Sequence, residues 1–410
     1  MIKALRISTL PATYLRQIGQ DQPSAGEQGY AEQHAALMHD ACAWADMWST
    51  ALRPLGWAME EIVANARSLQ TQWATEARVA FWESTWQLDI LREQVRHCQP
   101  EVLFLTDYAS FPAAFLKSLR EVAPSIRRIG IWCGAPYRNA AIFRECDVVL
   151  TCVPELERHF AAEGHDCRRI DHAFDPRILS RIPPGEAETA VGFIGSIILR
   201  HQFHSGRERL LRQLAERLDL SIWSDLVQPS WGSILLMGGK VAGYVVVDLL
   251  RRGGVPESIW KDLPILGRIA RWQERPFIPQ RFPRSLLRIA RPALYGLQMF
   301  ERLQRTQVSL NTHLDLSAES ASNMRLFEAT GVGSCLLTDW KKNLPGYFEI
   351  NDEVATYRSP EECVEKARYL LDHPAKRREM ALAGQRRVLA AHTFTQRAPL
   401  LAQALLGEAR

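Results

Sequence analysis

The stretch Ser309–Asp339, SLNTHLDLSAESASNMRLFEATGVGSCLLTD, decides how the rest of the chain is read. Val308-Ser309-Leu310 is a short apolar run that predicts a strand ending at Asn311. A polar loop beginning at Thr312-His313 follows, and Ser322-Asn323 put helix-capping side chains directly before the run Met324–Ala329. Gly331 and Gly333 end that helix, and Ser334–Thr338 reads as the next buried strand. Strand, loop, helix and strand in this order make one unit of an α/β domain. A helix N-terminus offers unpaired N–H groups and partial positive charge, which suits a phosphate, and Arg325 adds a cation there. Glu328, one turn on, is placed to accept hydrogen bonds from a hydroxyl pair of a sugar or ribose. The same spacing also fits a capped helix with one surface ion pair.

A chain of 410 residues is too long for one ordinary core and predicts two domains. Its composition is globular, 47% hydrophobic and 23% charged, and a net charge of +4 gives no argument for nucleic acid. The eight cysteines show no Cys-x-x-Cys pair and no metal-ligand spacing, as expected of buried thiols in a reducing cytoplasm. The N-terminus lacks the apolar core of a signal peptide and reads as a first strand.

Strands are also expected at 61–63, 102–106, 129–132 and 148–151, with helices at Tyr30–Leu55, Ser68–Gln94, Phe115–Val122 and Pro154–Ala162. This alternation predicts a parallel, doubly wound sheet. Trp73, Trp82 and Trp86 read as core rather than as a sugar platform. The clearest strand delivers Asp107 to its tip, where it is either an acceptor-side base or a turn former. The pattern breaks around Ile170-Asp171-His172-Ala173-Phe174-Asp175-Pro176, and Arg181–Glu186 is a linker.

A second domain opens at Val191–Ser196, a strand running into Gly195-Ser196 and then a basic segment with Arg200 and Arg207. The glycine lets backbone approach a ligand, and the cations suit a diphosphate. Ile234–Leu250 is apolar but only 17 residues long, short of the ~20 needed to cross a bilayer, which argues against a transmembrane helix. Seven arginines from Arg268 to Arg291 follow, interleaved with aromatic and leucine residues. They suit either an anionic membrane surface or a solvated face over an insertion. Helices over Ser359–Asp372, Ala375–Ala391 and Thr395–Leu406 close the chain.

Asn323–Gly333 followed by Leu336–Asp339 resembles the donor-site signature of group-1 glycosyltransferases. With Tyr357–Glu362, Ala381–Arg386 and His392-Thr393-Phe394, the resemblance is closest to the CgeB-like, spore-maturation-protein branch, and it covers about the last hundred residues. One departure stands out. The superfamily's earlier glutamate falls at Ser320, and the nearest acid, Glu319, is one residue out of register.

The resemblance implies a GT-B fold: two Rossmann-like lobes facing across a cleft, with the C-terminal helix packing back on the first lobe. The lobes would be residues 1–180 for the acceptor and 181–394 for the donor, with an insertion at 226–295 and a closing helix at 395–410. It implies a nucleotide-sugar-dependent glycosyltransferase with Gly195, Ser196, Arg200, Arg207, Asn311, His313, Asn323, Arg325 and Glu328 on the donor. Asp107 and His172 are the catalytic candidates. No Asp-x-Asp motif stands in a metal-binding context, so amides and arginine are expected to replace a divalent ion. Expected partners are the donor and a glycan, lipid-linked or protein acceptor, in the cytoplasm or at the inner membrane face. A GT-B epimerase or a non-catalytic sugar- or membrane-binding protein would share much of this pattern.

Overall fold

Strand β1 (Ile2–Ser8) lies between β2 (Trp57–Val63) and β3 (Val102–Leu105). Beyond β3 come β4 (Arg128–Trp132), β5 (Val148–Thr151) and β6 (Cys167–Arg169). The six strands run parallel, with Arg6 opposite Glu61 and Leu5 opposite Leu103. β3 and β5 are buried along their whole length, as helix-covered parallel strands are. These coordinates are a computed structural model. They describe every residue except 22–27, 136, 138–139, 200–204, 227, 257–258, 261–262, 264, 271, 273–274, 314–318 and 408–410.

A second sheet contains β7 (Thr189–Ile194), β8 (Leu220–Trp223), β9 (Ala290–Arg291), β10 (Thr306–Asn311), β11 (Cys335–Asp339) and β12 (Ala355–Tyr357). Its spatial order is β12-β11-β10-β7-β8-β9. Two parallel six-stranded sheets make two Rossmann-like lobes, the α/β architecture expected from the sequence. By compactness the chain divides elsewhere: residues 1–192 with 294–410 form one unit and residues 193–293 another.

The closing helix, Phe394–Leu406, packs back on the first sheet. Its Phe394 meets Trp48 edge-on at 4.7 Å, and a Cβ added to Gly130 of β4 would come within 2.5 Å of Leu405. A capping box between Thr393 and Gln396 fixes its start. Just before it the chain pairs with the segment at Phe174. The Phe174 N–H donates to the His392 carbonyl at 2.9 Å, and the Phe394 N–H to the Phe174 carbonyl at 3.2 Å.

Four expectations are corrected. The segment read as one helix, Tyr30–Leu55, is two, Tyr30–His39 and Met47–Leu52, parted by a stretch with left-handed Ala41, Ala43 and Ala45. Trp44 is drawn edge-on to Trp132 at 4.7 Å, and Arg6 donates to the Ala45 carbonyl, contacts that a continuous helix would not supply. Ser68–Gln94 likewise splits, into Arg67–Glu76 and Trp86–Cys98, and Trp82 between them is exposed rather than core.

The third correction concerns the cap before the central helix. That helix is Arg325–Gly331, entered through Met324 without a side-chain cap, because the Asn323 amide is used elsewhere. Last, the apolar segment predicted at 17 residues is a 22-residue helix, Trp231–Arg252, long and apolar enough to cross a membrane. Its ends extend through Trp231-Gly232-Ser233 and Arg251-Arg252, which a hydropathy reading trims.

Candidate active site

β10 and β11 pair in parallel with Asn311 opposite Thr338, so their C-terminal tips deliver a row of polar residues together. The Asn311 amide donates to Thr338 Oγ1 at 2.8 Å, and the Asn323 amide donates to Asn311 Oδ1 at 2.8 Å. Tyr357 O–H donates to the Asn311 carbonyl at 2.8 Å. Asp339 is the hub of the next layer. Its Oδ1 accepts from the His313 N–H at 3.0 Å and meets His313 Nδ1 at 2.6 Å, and Lys341 Nζ lies 3.3 Å from Oδ2. Burial alone would raise the Asp339 pKa, but His313 and Lys341 outweigh it and hold the carboxyl below its ordinary range. A carboxylate on Nδ1 orients the ring, and His313 Nε2 is buried with no hydrogen-bond partner among the described residues. The sequence reading named Asn311, His313 and Asn323. It missed Asp339, Lys341 and Tyr357 as parts of one network, although the strand-tip position of Asp339 was legible.

Arg325 and Glu328 sit differently from their expected roles. Arg325 Nη1 pairs with Glu328 Oε2 at 2.9 Å and also donates to Met299 Sδ at 3.0 Å. Glu328 is 6% exposed and borders a void too small for a water, walled by Ala43, Met47, Phe174 and Phe300. Burial raises its pKa, against the opposing pull of Arg325. The two expected ligand contacts are spent on each other. Glu319 is exposed and paired with Lys342 at 2.8 Å, and Ser320 is buried.

His172 lines a cavity of about 180 Å³ with Arg6, Ser8, Thr9, Trp44, Thr106, Trp132 and Met324. Its ring lies 5.8 Å from Trp44 and 5.4 Å from Trp132, and Nδ1 has no hydrogen-bond partner among the described residues. Burial lowers its pKa to about 3. A general base works best near the operating pH, so His172 fits a neutral hydrogen-bonding role better than the catalytic one expected. The cavity wall includes the strained stretch at Ala43 and Ala45, with φ of 55° and 37°. Left-handed non-glycine residues of this kind gather where surrounding structure enforces a function.

A larger cavity, about 430 Å³, is lined by the helices Ala12–Asp21, Tyr30–His39 and Arg67–Glu76 and by Tyr295 and Gln298. Tyr14 O–H donates to Asp40 Oδ2 at 2.6 Å, and the Tyr14 and Tyr295 rings lie 5.5 Å apart. Burial raises the Asp40 pKa, and the hydrogen bond from Tyr14 opposes that rise. Asp107 lines neither cavity. Its carboxylate accepts from Thr9 Oγ1 at 2.6 Å, from the Ala109 and Ser110 N–H groups, and from Ser110 Oγ. That is the turn-forming alternative rather than an open base.

Within residues 193–293, the Gly195 N–H donates to the Trp223 carbonyl at 3.2 Å. Arg207 Nη1 donates to the Ser196 carbonyl at 2.7 Å, and its guanidinium lies 5.6 Å from the Phe193 ring centre. Arg207 therefore fastens the loop after β7. Arg200 lies outside the described residues. Among the described residues, no group of three or more His, Cys, Asp or Glu is arranged for a metal.

Residues 206–403 match the glycosyl transferase-like family. No curated protein matches the chain in sequence. Among solved structures, a glycosyltransferase from Rickettsia africae ESF-5 is similar at TM-score 0.52 and 8% identity, covering 100% of this chain and 99% of that one. Anabaena HepE, solved with UDP and glucose, gives 0.50 at 10% identity over 99% of this chain and 100% of its own. Sucrose-phosphate synthase from Thermosynechococcus elongatus gives 0.50 at 12% identity, with 98% of each chain covered. The fold is GT-B. The Asn311–His313–Asp339 network lies inside the matched residues.

Proposed function

We propose that the chain is a metal-independent glycosyltransferase that moves a sugar from a nucleotide-sugar donor to an acceptor. The observation that carries this reading is the polar network at the tips of β10 and β11, inside the matched domain. Open α/β sheets bind ligands at the carboxyl ends of their strands. In this reading Asn311, His313 and Asn323 hold the donor there. A diphosphate leaving group gains charge in the transition state, and amide and guanidinium donors stabilise it without a metal. Donor contacts from Arg325 and Glu328 require their mutual pair to open. HepE was solved with UDP and glucose, so UDP-sugars are the first donors to try.

The larger cavity takes the acceptor hydroxyl, with Tyr14 and Tyr295 against the ring and Asp40 as base. The branch is CgeB-like, and the acceptor is a glycan, a lipid-linked glycan or a protein in cell-surface polysaccharide or glycoconjugate synthesis. The protein works in the cytoplasm, with its arginine-rich segment at the inner membrane face.

A panel of UDP-, GDP-, ADP- and dTDP-sugars, each with and without EDTA, tests this through released nucleotide and product analysis. The expected result is nucleotide release from one donor base that survives EDTA and is lost in Asn311→Ala and His313→Ala. Epimerised donor, or binding without turnover, would replace the reading.

A further inference from the structure

The Trp231–Arg252 helix is amphipathic with its faces reversed relative to an ordinary surface helix. At 100° per residue, its four charged residues, Lys240, Asp248, Arg251 and Arg252, fall within an arc of about 120°. On that side Tyr244 and Val247 pack with Trp260 and Ile269, and Asp248 pairs with Arg252 at 3.0 Å. The opposite side carries no charge and faces outward. Trp231 is 67% exposed, Leu235 74% and Leu249 62%, with Val246 between them also exposed. Ile259, Leu263 and Ile265, just past the helix, are exposed as well. Soluble monomers rarely present apolar surface so continuously.

Charge says what covers it. Residues 193–293 contain sixteen Lys and Arg against eight Asp and Glu, a net charge of +8 in a chain whose total is +4. Arg281 lies over the Trp231 ring at 4.6 Å, which puts a cation and an indole together at one end of the apolar face. Arg251 and Arg252 stand at the other end. Aromatic and basic residues at the ends of an apolar face match the headgroup boundary of an anionic bilayer. The 22-residue helix is about 33 Å long, yet a full crossing conflicts with the fold. Residues 1–192 and 294–410 form one compact unit, so both ends of the intervening segment stay on one side. Among the described residues of that segment, the other helices are far shorter.

We propose that the Trp231–Arg252 helix lies in one leaflet of an anionic phospholipid membrane, with Leu235, Val246 and Leu249 in the acyl region and the flanking arginines among the headgroups. This rests on the reading that the protein works at a membrane face, and it changes surface attraction into insertion. The two differ in salt dependence, because screening removes attraction between exposed charges but not apolar burial.

Flotation of the full chain on vesicles of phosphatidylglycerol and phosphatidylcholine, or of phosphatidylcholine alone, tests it at low salt and at about 0.5 M NaCl, where the screening length is a few Å. The comparison is with a variant carrying Leu235→Asp, Val246→Asp and Leu249→Asp, whose fold is checked by circular dichroism and melting. Wild type is expected to float with anionic vesicles at both salt levels, and the variant at low salt only, with at least a ten-fold lower bound fraction at high salt. A variant that floats like wild type at high salt overturns insertion. So does wild type that floats with neither vesicle. A wild-type dimer dispersed by the substitutions, without vesicle binding, would assign the face to a second copy of the chain. Flotation needs no sugar nucleotide, so a failed transfer assay and a failed flotation assay are distinguishable.

Discussion

Arg325 and Glu328, three residues apart on one short helix, are ion-paired at 2.9 Å with both side chains nearly out of solvent. Breaking one side of such a pair leaves an uncompensated buried charge. Arg325→Ala is therefore expected to destabilise the protein by about 3–5 kcal/mol. Replacing both partners, Arg325→Met with Glu328→Leu, should recover most of the loss, since two desolvated charges are exchanged for apolar packing. Urea denaturation of the single and double variants measures this. A stable Arg325→Ala protein that has lost donor affinity would show instead that the pair opens to the ligand.

His172 predicts a pH dependence. Its folded pKa is lowered to about 3 by burial, below the ordinary histidine value near 6.5. The neutral ring is favoured in the fold, so its stabilisation is fully present above pH ~6.5 and is lost as pH falls from there toward about 3. Within that window stability should fall by roughly 1.4 kcal/mol per pH unit from this group. Denaturant titrations at pH 7, 6 and 5 read the slope. In His172→Gln that share of the slope should disappear; an unchanged slope would mean that the ring is solvated.

Much of this architecture was legible because parallel strands are apolar along their whole length. Val102–Leu105 and Val148–Thr151 stand out without any alignment, and the glycine pair at 331 and 333 marks the end of the central helix. The break at Ala41–Ala45 was not legible. Alanine is the best helix former, and only contacts distant in sequence, Trp44 on Trp132 and Arg6 on the Ala45 carbonyl, turn the chain there. The site was half legible for a related reason. Residue type and local spacing pointed to Asn311, His313 and Asn323, but the roles of Asp339 and Lys341 depend on β10 and β11 being neighbours. The Arg325–Glu328 pair was foreseen in its spacing and not in its burial.

Gly130 tests the seam between the first sheet and the closing helix. A methyl group there would meet Leu405 Cδ2 at 2.5 Å, inside contact distance, with Val148 on its other side at 3.4 Å. Gly130→Ala should cost about 1–3 kcal/mol as overpacking. Adding Leu405→Ala removes the obstructing atoms, so the double variant should lose less than the sum of the two single variants. Additive losses in a thermal-melt double-mutant cycle would mean that the helix shifts as a body and that the contact is not limiting.

Asp40 and Asp107 separate the acceptor-side readings. Asp107 gives its oxygens to Thr9, Ala109 and Ser110, whereas Asp40 borders the 430 Å³ cavity and carries a pKa raised by burial. Asp40→Asn keeps the side-chain shape beside Gly296, where an added Cβ would collide with the carboxyl group, so the fold should survive. Once a donor and acceptor pair is known, kcat should fall by roughly 10²–10⁴ in Asp40→Asn with KM little changed, as for the loss of a general base. Asp107→Asn should keep kcat within a few-fold and lower the melting temperature, because a turn acceptor has been weakened. The pH profile supplies a second readout. A raised carboxyl pKa moves the acidic fall in activity of the wild-type enzyme above the ordinary aspartate range, and Asp40→Asn should abolish that limb. If Asp107→Asn instead loses turnover with its stability unchanged, the base lies at the tip of β3 and Asp40 serves only to fix Tyr14 in the cavity wall.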